Sequence, residues 1–264
     1  MKWFIYLLNF YIKASIHVAI AMACFVKITQ IYFKITYENS IVWFCFFGTI
    51  FGYNFIKYFY FILRKKKTNL PIKSIFALSI FSFVASSCFF FFIESITKIV
   101  VVFFAVCIVL YTFSFSKKHQ NIRNWAGFKI YFVCFCWTSI SVLLPVLNYK
   151  ILISTDFWIY FLERFLIIFT LLLLFEIGDL KFDSPKLKTI PQQIGIKKTK
   201  FLGYLLLVIY LVLKSQLNFI IDIAIAIGIA VFLFFSSESR SKYYTLFWVE
   251  SIPVLWLTLL LIFR

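Results

Sequence analysis

Acidic residues are scarce in this sequence: ten Asp and Glu stand against 27 Lys and Arg over 264 residues. Charged residues of both signs make up only 14%, well below the roughly one quarter of soluble domains, which excludes an ordinary water-exposed surface. Seven glycines and five prolines are too few for a flexible linker. No repeat with a period of roughly 20 to 50 residues occurs, so residues 1–264 read as a single domain. The two histidines have no partner at metal-ligand spacing, and the Cys134-Phe135-Cys136 triplet lacks the two-residue gap of a zinc site. Cys24, Cys45, Cys88, Cys107, Cys134 and Cys136 all fall inside apolar runs, where cysteine behaves as a small apolar side chain. Neither a disulfide framework nor a zinc, haem or redox site is expected.

What the chain has in excess is apolar surface: 63% of residues are hydrophobic and 23% aromatic, with mean hydropathy +0.97. Apolar runs of roughly 17 to 25 residues, each enough to cross about 30 Å of hydrocarbon as a helix, recur along almost the whole length. Nine spans are expected, over residues 3–25, 41–63, 74–93, 97–115, 128–147, 157–178, 200–214, 217–236 and 243–263. Helices are the default because an isolated span must satisfy its own backbone groups. The expected fold class is therefore all-α, a polytopic membrane protein. The first segment begins basic and then turns apolar like a signal peptide, but Lys13 interrupts it and no A-x-A pattern follows. It reads as a retained first span.

The formal net charge of +17 is unevenly placed. Residues 64–67 with Lys73, then Lys117, Lys118, Arg123 and Lys129, then six lysines from Lys181 to Lys200, and finally Arg240 with Lys242, occupy alternate loops. The intervening loops hold only Lys27, Lys34, Lys98, Lys150 and Lys214. This bias predicts a cytoplasmic amino terminus and an external carboxyl terminus. Anionic lipid headgroups are the natural partner of such loops, and no nucleic-acid partner is expected. A compact chain without a transit peptide points to a bacterial inner membrane.

Three of the few acids crowd into "FEIGDLKFD": Glu176, Asp179 and Asp183. Spacings of three and four put them on one face of a helix, which should end at Ser184 because Pro185 follows. Carboxylates there face the negative end of the helix dipole, at a cost of about 0.3–1 kcal/mol each. Compensation can come from Lys181, Lys186 and Lys188, or from Mg²⁺ held by one or two carboxylates with phosphate oxygens and water. Spacing alone leaves both open.

The segment "DLKFDSPKLKTIPQQIGIKKTK" is similar to the second aspartate-rich motif of the UbiA-type membrane prenyltransferases, here Asp179, Asp183, Lys188, Thr189, Ile190, Pro191 and Gly195. Residues 111–137 resemble that family's basic loop between its fourth and fifth spans, led by Tyr111. One departure stands out: where the first aspartate-rich motif should end the second span, Asn54 matches its asparagine, but Phe55 and Tyr58 replace the acids and Lys57 adds a positive charge.

The resemblance implies a nine-helix UbiA-like bundle that transfers an isoprenyl group from a prenyl diphosphate to an aromatic or lipid-like acceptor, with Mg²⁺ as cofactor. It implies Asp179 and Asp183 as catalytic residues, Glu176, Asp179, Asp183 and Asn54 around the metal, and Lys117, Lys118, Arg123 and Lys57 on the diphosphate. Glu250 is a candidate to face the acceptor, while Glu163, Arg164 and Asp222 read as intramembrane hydrogen-bonding groups. The missing first motif keeps an alternative open: a noncatalytic relative that binds a prenyl lipid or a partner protein. A small transporter ranks third, because no paired Gly/Pro-interrupted spans mark discontinuous helices.

Overall fold

The computed structural model describes residues 2–35, 39–63, 70–112, 127–213 and 219–263. Among these residues every regular element is helical: α1 Lys2–Lys13, α2 Ile16–Tyr32, α3 Ser40–Leu63, α4 Leu70–Phe90, α5 Ser95–Thr112, α6 Phe128–Thr138, α7 Leu144–Asn148, α8 Thr155–Asp179, α9 Ile190–Leu213, α10 Phe219–Phe235 and α11 Ile252–Ile262. Among the described residues six helical segments are long and apolar enough to cross a membrane, or seven if α1 and α2 count as one bent span. The all-α class holds, with apolar helices that could span a membrane.

The difference from nine arises at α9 and α10. Lys197, Lys198 and Lys200 occupy the first half of α9, leaving residues 201–213 as an uncharged stretch of only about 20 Å at 1.5 Å per residue. Helix α10 has 17 residues, at the lower limit of a span. The expected first span is also corrected. Instead of one helix over residues 3–25, the chain turns at Ala14 and Ser15, bends by 58° and continues to Tyr32. Ser15 sits there with a left-handed φ of 61°.

Two spans carry internal prolines, and both change pitch just before them. Residues 139–143 form a π-helical turn ahead of Pro145, and residues 244–249 another ahead of Pro253. Proline removes the hydrogen bond to the carbonyl four residues back. For Pro145 that carbonyl belongs to Ser141, and it accepts instead from Thr29 Oγ1 at 2.8 Å. A neighbouring helix thus satisfies a polar group that lipid could not.

Helix α8 is the axis of the bundle, with 67% of its span buried against 17% for that of α4. Its Leu166–Leu174 stretch packs with Phe25 of α2, Leu207 and Tyr210 of α9, Ile225 and Ile229 of α10, and Trp256 of α11. Helices α3 and α4 pair at the periphery. The two ends of the bundle differ in charge. One gathers the start of α6, the 180–189 turn and the 236–243 turn, linked by Gly127 N–H to Leu187 O at 2.8 Å and Lys200 Nζ to Phe234 O at 2.8 Å. The opposite end carries the Lys150–Glu94 ion pair at 3.0 Å, with Asn148 accepting from Glu94 N–H at 2.9 Å.

Candidate functional site

The acidic motif lies at the lysine-rich end. Helix α8 stops at Asp179, so Asp183 is not on the helical face expected for it. Instead Asp183 N–H folds back to Asp179 O at 2.9 Å, and the turn returns its carboxylate toward the other two. A cation missing from the expected set sits among them: Lys129 Nζ is 3.8 Å from Asp183 Oδ2 and acts electrostatically on Glu176 and Asp179 as well. Lys181, Lys186 and Lys188 are exposed. The compensation expected from local lysines therefore has a long-range contributor on α6.

The three carboxylates have different surroundings. Glu176 is buried at 5% exposure and its Oε2 accepts from Ile190 N–H at 3.0 Å. Asp179 is exposed, lining a surface cavity. Asp183 Oδ2 is buried and takes no hydrogen bond. Among the described residues no three His, Cys, Asp or Glu side chains come together as a metal-binding group.

The hydrogen bonds explain the Thr-Ile-Pro-Gln run physically. Thr189 N–H donates to Gln192 Oε1 at 3.0 Å, half of a capping box that starts α9, and Glu176 takes the next N–H, which also has no partner within its own helix. Gln192 Nε2 additionally reaches the carbonyls of Asp183 and Ser184, each at 3.3 Å. Gly195 has a non-helical φ of +79° inside α9, a conformation costly for any residue with a Cβ. Much of the motif is thus employed in turning the chain sharply from α8 into α9 and holding Asp183 still. Glu176→Leu is expected to destabilise the protein by about 1–3 kcal/mol, seen as a lower thermal midpoint in detergent. Glu176→Gln, which keeps an acceptor for Ile190, should lose less.

Asn54 and Lys57 occupy a second locus, at the α1–α2 elbow. Asn54 is 2% exposed; its Oδ1 accepts from Ser15 Oγ at 2.8 Å, and its Nδ2 donates to Ala14 O at 3.1 Å and Ser79 Oγ at 3.0 Å. Lys57 keeps an exposed side-chain stem but bends its ammonium inward, donating to Ser15 Oγ at 2.9 Å and lying 5.6 Å from the Tyr53 ring centroid. Glu250 is its electrostatic neighbour. Beside them His17 bridges Tyr11 Oη, at 2.8 Å from Nδ1, and Phe247 O, at 2.9 Å from Nε2. Lys117, Lys118 and Arg123 lie outside the described residues.

A third polar group is wholly internal. Arg164, at 1% exposure, lies 4.5, 5.4 and 5.1 Å from the ring centroids of Phe25, Tyr160 and Trp256. Tyr210 Oη donates to Asp222 Oδ1 at 3.1 Å, and Glu163 and Arg164 share the same electrostatic neighbourhood.

Lys129, Gln192 and Ser15 carry these loci although the sequence marks none of them as a site residue. Lys129 had a signal, as the first cation of its span, in a basic loop. Ser15 had none. No family model, no curated protein and no solved structure matches the chain.

Proposed function

We propose that the chain is an integral membrane prenyltransferase of the UbiA type, which moves an isoprenyl group from its diphosphate to an aromatic or lipid-like acceptor. The observation that carries this reading is the pairing of Asp179 and Asp183 with Lys129 at the lysine-rich end of the bundle. In this reading α9 and α10 complete nine crossings, and the amino terminus and the acidic mouth face the cytoplasm of a bacterial inner membrane, following the bias of positive charge.

The donor set fits Mg²⁺ in a two-carboxylate form. Asp179 is accessible and Asp183 Oδ2 lacks a hydrogen bond, and Mg²⁺ usually takes one or two carboxylates, completing its shell with water and phosphate oxygens. Glu176, bound to Ile190 N–H, contributes field rather than ligation. When bound, the ion would neutralise charge that develops on the leaving diphosphate. Lys129 adds a fixed positive charge beside the same oxygens, an electrostatic contribution that grows where water is excluded. The allylic C–O bond breaks with its electron pair on diphosphate, the acceptor forms the new bond to that carbon, and the acceptor's proton leaves to solvent. The apolar bundle below the mouth shelters the isoprenoid tail.

Thermal stability of the purified protein with a nonhydrolysable prenyl diphosphate tests this. The midpoint is expected to rise only when Mg²⁺ is present, by linkage to binding, and the rise should vanish in both Asp179→Asn and Asp183→Asn. An equal rise in these folded variants would remove the proposed site.

A noncatalytic binder of a prenyl lipid or partner is the second reading, favoured by Asn54. Where the family's first motif would supply ligands, this amide is tied to three protein groups. Mg²⁺-dependent release of diphosphate on addition of acceptor separates the two readings.

A further inference from the structure

A cavity of about 390 Å³ opens between the end of α8 and the serine-rich turn that joins α10 to the last span. Its lining includes Lys181, Ser237, Ser239, Arg240 and Lys242, with Asp179 as the sole carboxylate. Three cations against one anion make it a site of net positive charge. The run "SSESRSK" has no role in the transfer chemistry above.

Arg240 is the organised element of this cavity. Its Nε donates to Phe235 O at 2.9 Å, and its guanidinium carbon lies 5.9 Å from the Phe235 and 5.7 Å from the Tyr244 ring centroids. Among the described residues no protein group takes its terminal amino groups, so the planar fork remains available to a phosphoryl group, for which its geometry is suited. Ser237 and Ser239 hydroxyls, 3.0 Å apart, stand beside it as additional donors. Lys181, also in the lining, has its Nζ 5.1 Å from the Phe182 ring centroid.

The rim identifies what carries the phosphoryl group. Phe182, Phe234 and Phe235 are 74%, 68% and 50% exposed. Phe182 lines the cavity beside Lys181, the Phe235 ring lies against Arg240, and Phe234 contacts Phe235, which makes an apolar border next to the cations. A free phosphate ion gains nothing from that border, whereas an acyl chain lies against it while the head enters the cavity. Exposed Phe201 and Leu205 of α9 and Val231 of α10 extend apolar surface along the same pair of helices.

We infer that this cavity binds the phosphoryl headgroup of an anionic membrane lipid, with Arg240 as the fork, Lys181 and Lys242 as flanking charges and the lipid tail on Phe234 and Phe235. The site adjoins the proposed transfer site through Asp179, but its ligand chemistry is separate. It requires neither Mg²⁺ nor Asp183.

The test uses the full chain in detergent with EDTA, titrated with dioctanoyl phosphatidic acid and followed by thermal midpoint. A saturable rise is expected. Its apparent Kd should weaken at least tenfold in the Arg240→Gln/Lys242→Gln double variant, while Asp183→Asn leaves it unchanged. Arg240→Lys, which keeps charge without the fork, should fall between. Because Arg240→Gln also removes the Nε bond to Phe235 O, each response is read as the shift from that variant's own unliganded midpoint. Dioctanoyl phosphatidylcholine and inorganic phosphate at equal concentration are expected to give little rise. An equal response to phosphatidylcholine would reduce the site to tail packing, and an equal response to inorganic phosphate would make it a soluble-anion site. Either result overturns the proposal, as does an undiminished response in the double variant.

Discussion

Replacing Arg164 with Met is expected to destabilise the protein by about 3–5 kcal/mol, the range for breaking one side of a buried charge cluster. Arg164 is the largest fully buried side chain among the described residues. Inserting such a charge into a membrane costs at least about 2.5 kcal/mol, so its retention requires compensation, and three sources are visible. The ring faces of Phe25, Tyr160 and Trp256 surround it, contacts worth up to about 2 kcal/mol when desolvated. Tyr160 Oη and Phe25 O accept from its amino groups. Glu163 and Asp222 are the acidic side chains of the same internal polar group, gathered with Arg164 around Tyr210. Methionine would fill much of the volume but leave the acidic side chains Glu163 and Asp222 in a region with no cation. The measurement is thermal midpoint and monodispersity in detergent. Adding Glu163→Gln to Arg164→Met should recover part of the loss, because one carboxylate left without its cation is removed. Strict additivity of the two changes would show that the charges do not interact.

Asn54→Leu is expected to cost about 2–4 kcal/mol, since three hydrogen bonds, two of them fully buried, disappear at once and their partners at the α1–α2 elbow and on α4 lose a polar neighbour. The effect should concentrate at the elbow between α1 and α2. Hydrogen exchange of residues 10–20 is expected to accelerate more than that of α8, because Ala14 O and Ser15 Oγ are the groups released. The same variant discriminates a structural role from metal ligation. A lock lowers the midpoint equally with and without Mg²⁺. A ligand would instead leave the apo midpoint in place and abolish the Mg²⁺-dependent increment.

The sequence was most legible where one physical rule dominates. Long apolar runs must become helices in lipid, so α3, α4, α5 and α8 appear close to the positions expected. The cysteines fall inside helices, with Cys24, Cys45, Cys134 and Cys136 buried. The acidic motif was recognisable because charges are rare in such a chain. Legibility failed where two rules compete. Residues 3–25 are apolar enough for one span, but Asn54 and Lys57 gather at Ala14 and Ser15 and hold a turn that hydropathy does not register. The spacing of Glu176, Asp179 and Asp183 suggested one helical face, but capping of α9 by Glu176 and Gln192 ends α8 four residues before Asp183.

Composition and order alone determined that the chain is helical, that several of its segments are apolar enough to span a membrane, that its cations collect in a few short stretches, and that three of its acids cluster at one point. These properties depend on transfer free energies of single residues and on backbone hydrogen bonding within a segment, both local. Only the tertiary structure decided that Lys129, 54 positions from Asp183, is the cation beside it, that Thr29 satisfies the carbonyl freed by Pro145, and that Arg164 is enclosed by rings from three helices. Each is a polar group whose partner comes from elsewhere in the chain. In a low-dielectric interior a polar group must find such a partner, but which one it finds depends on how the helices pack.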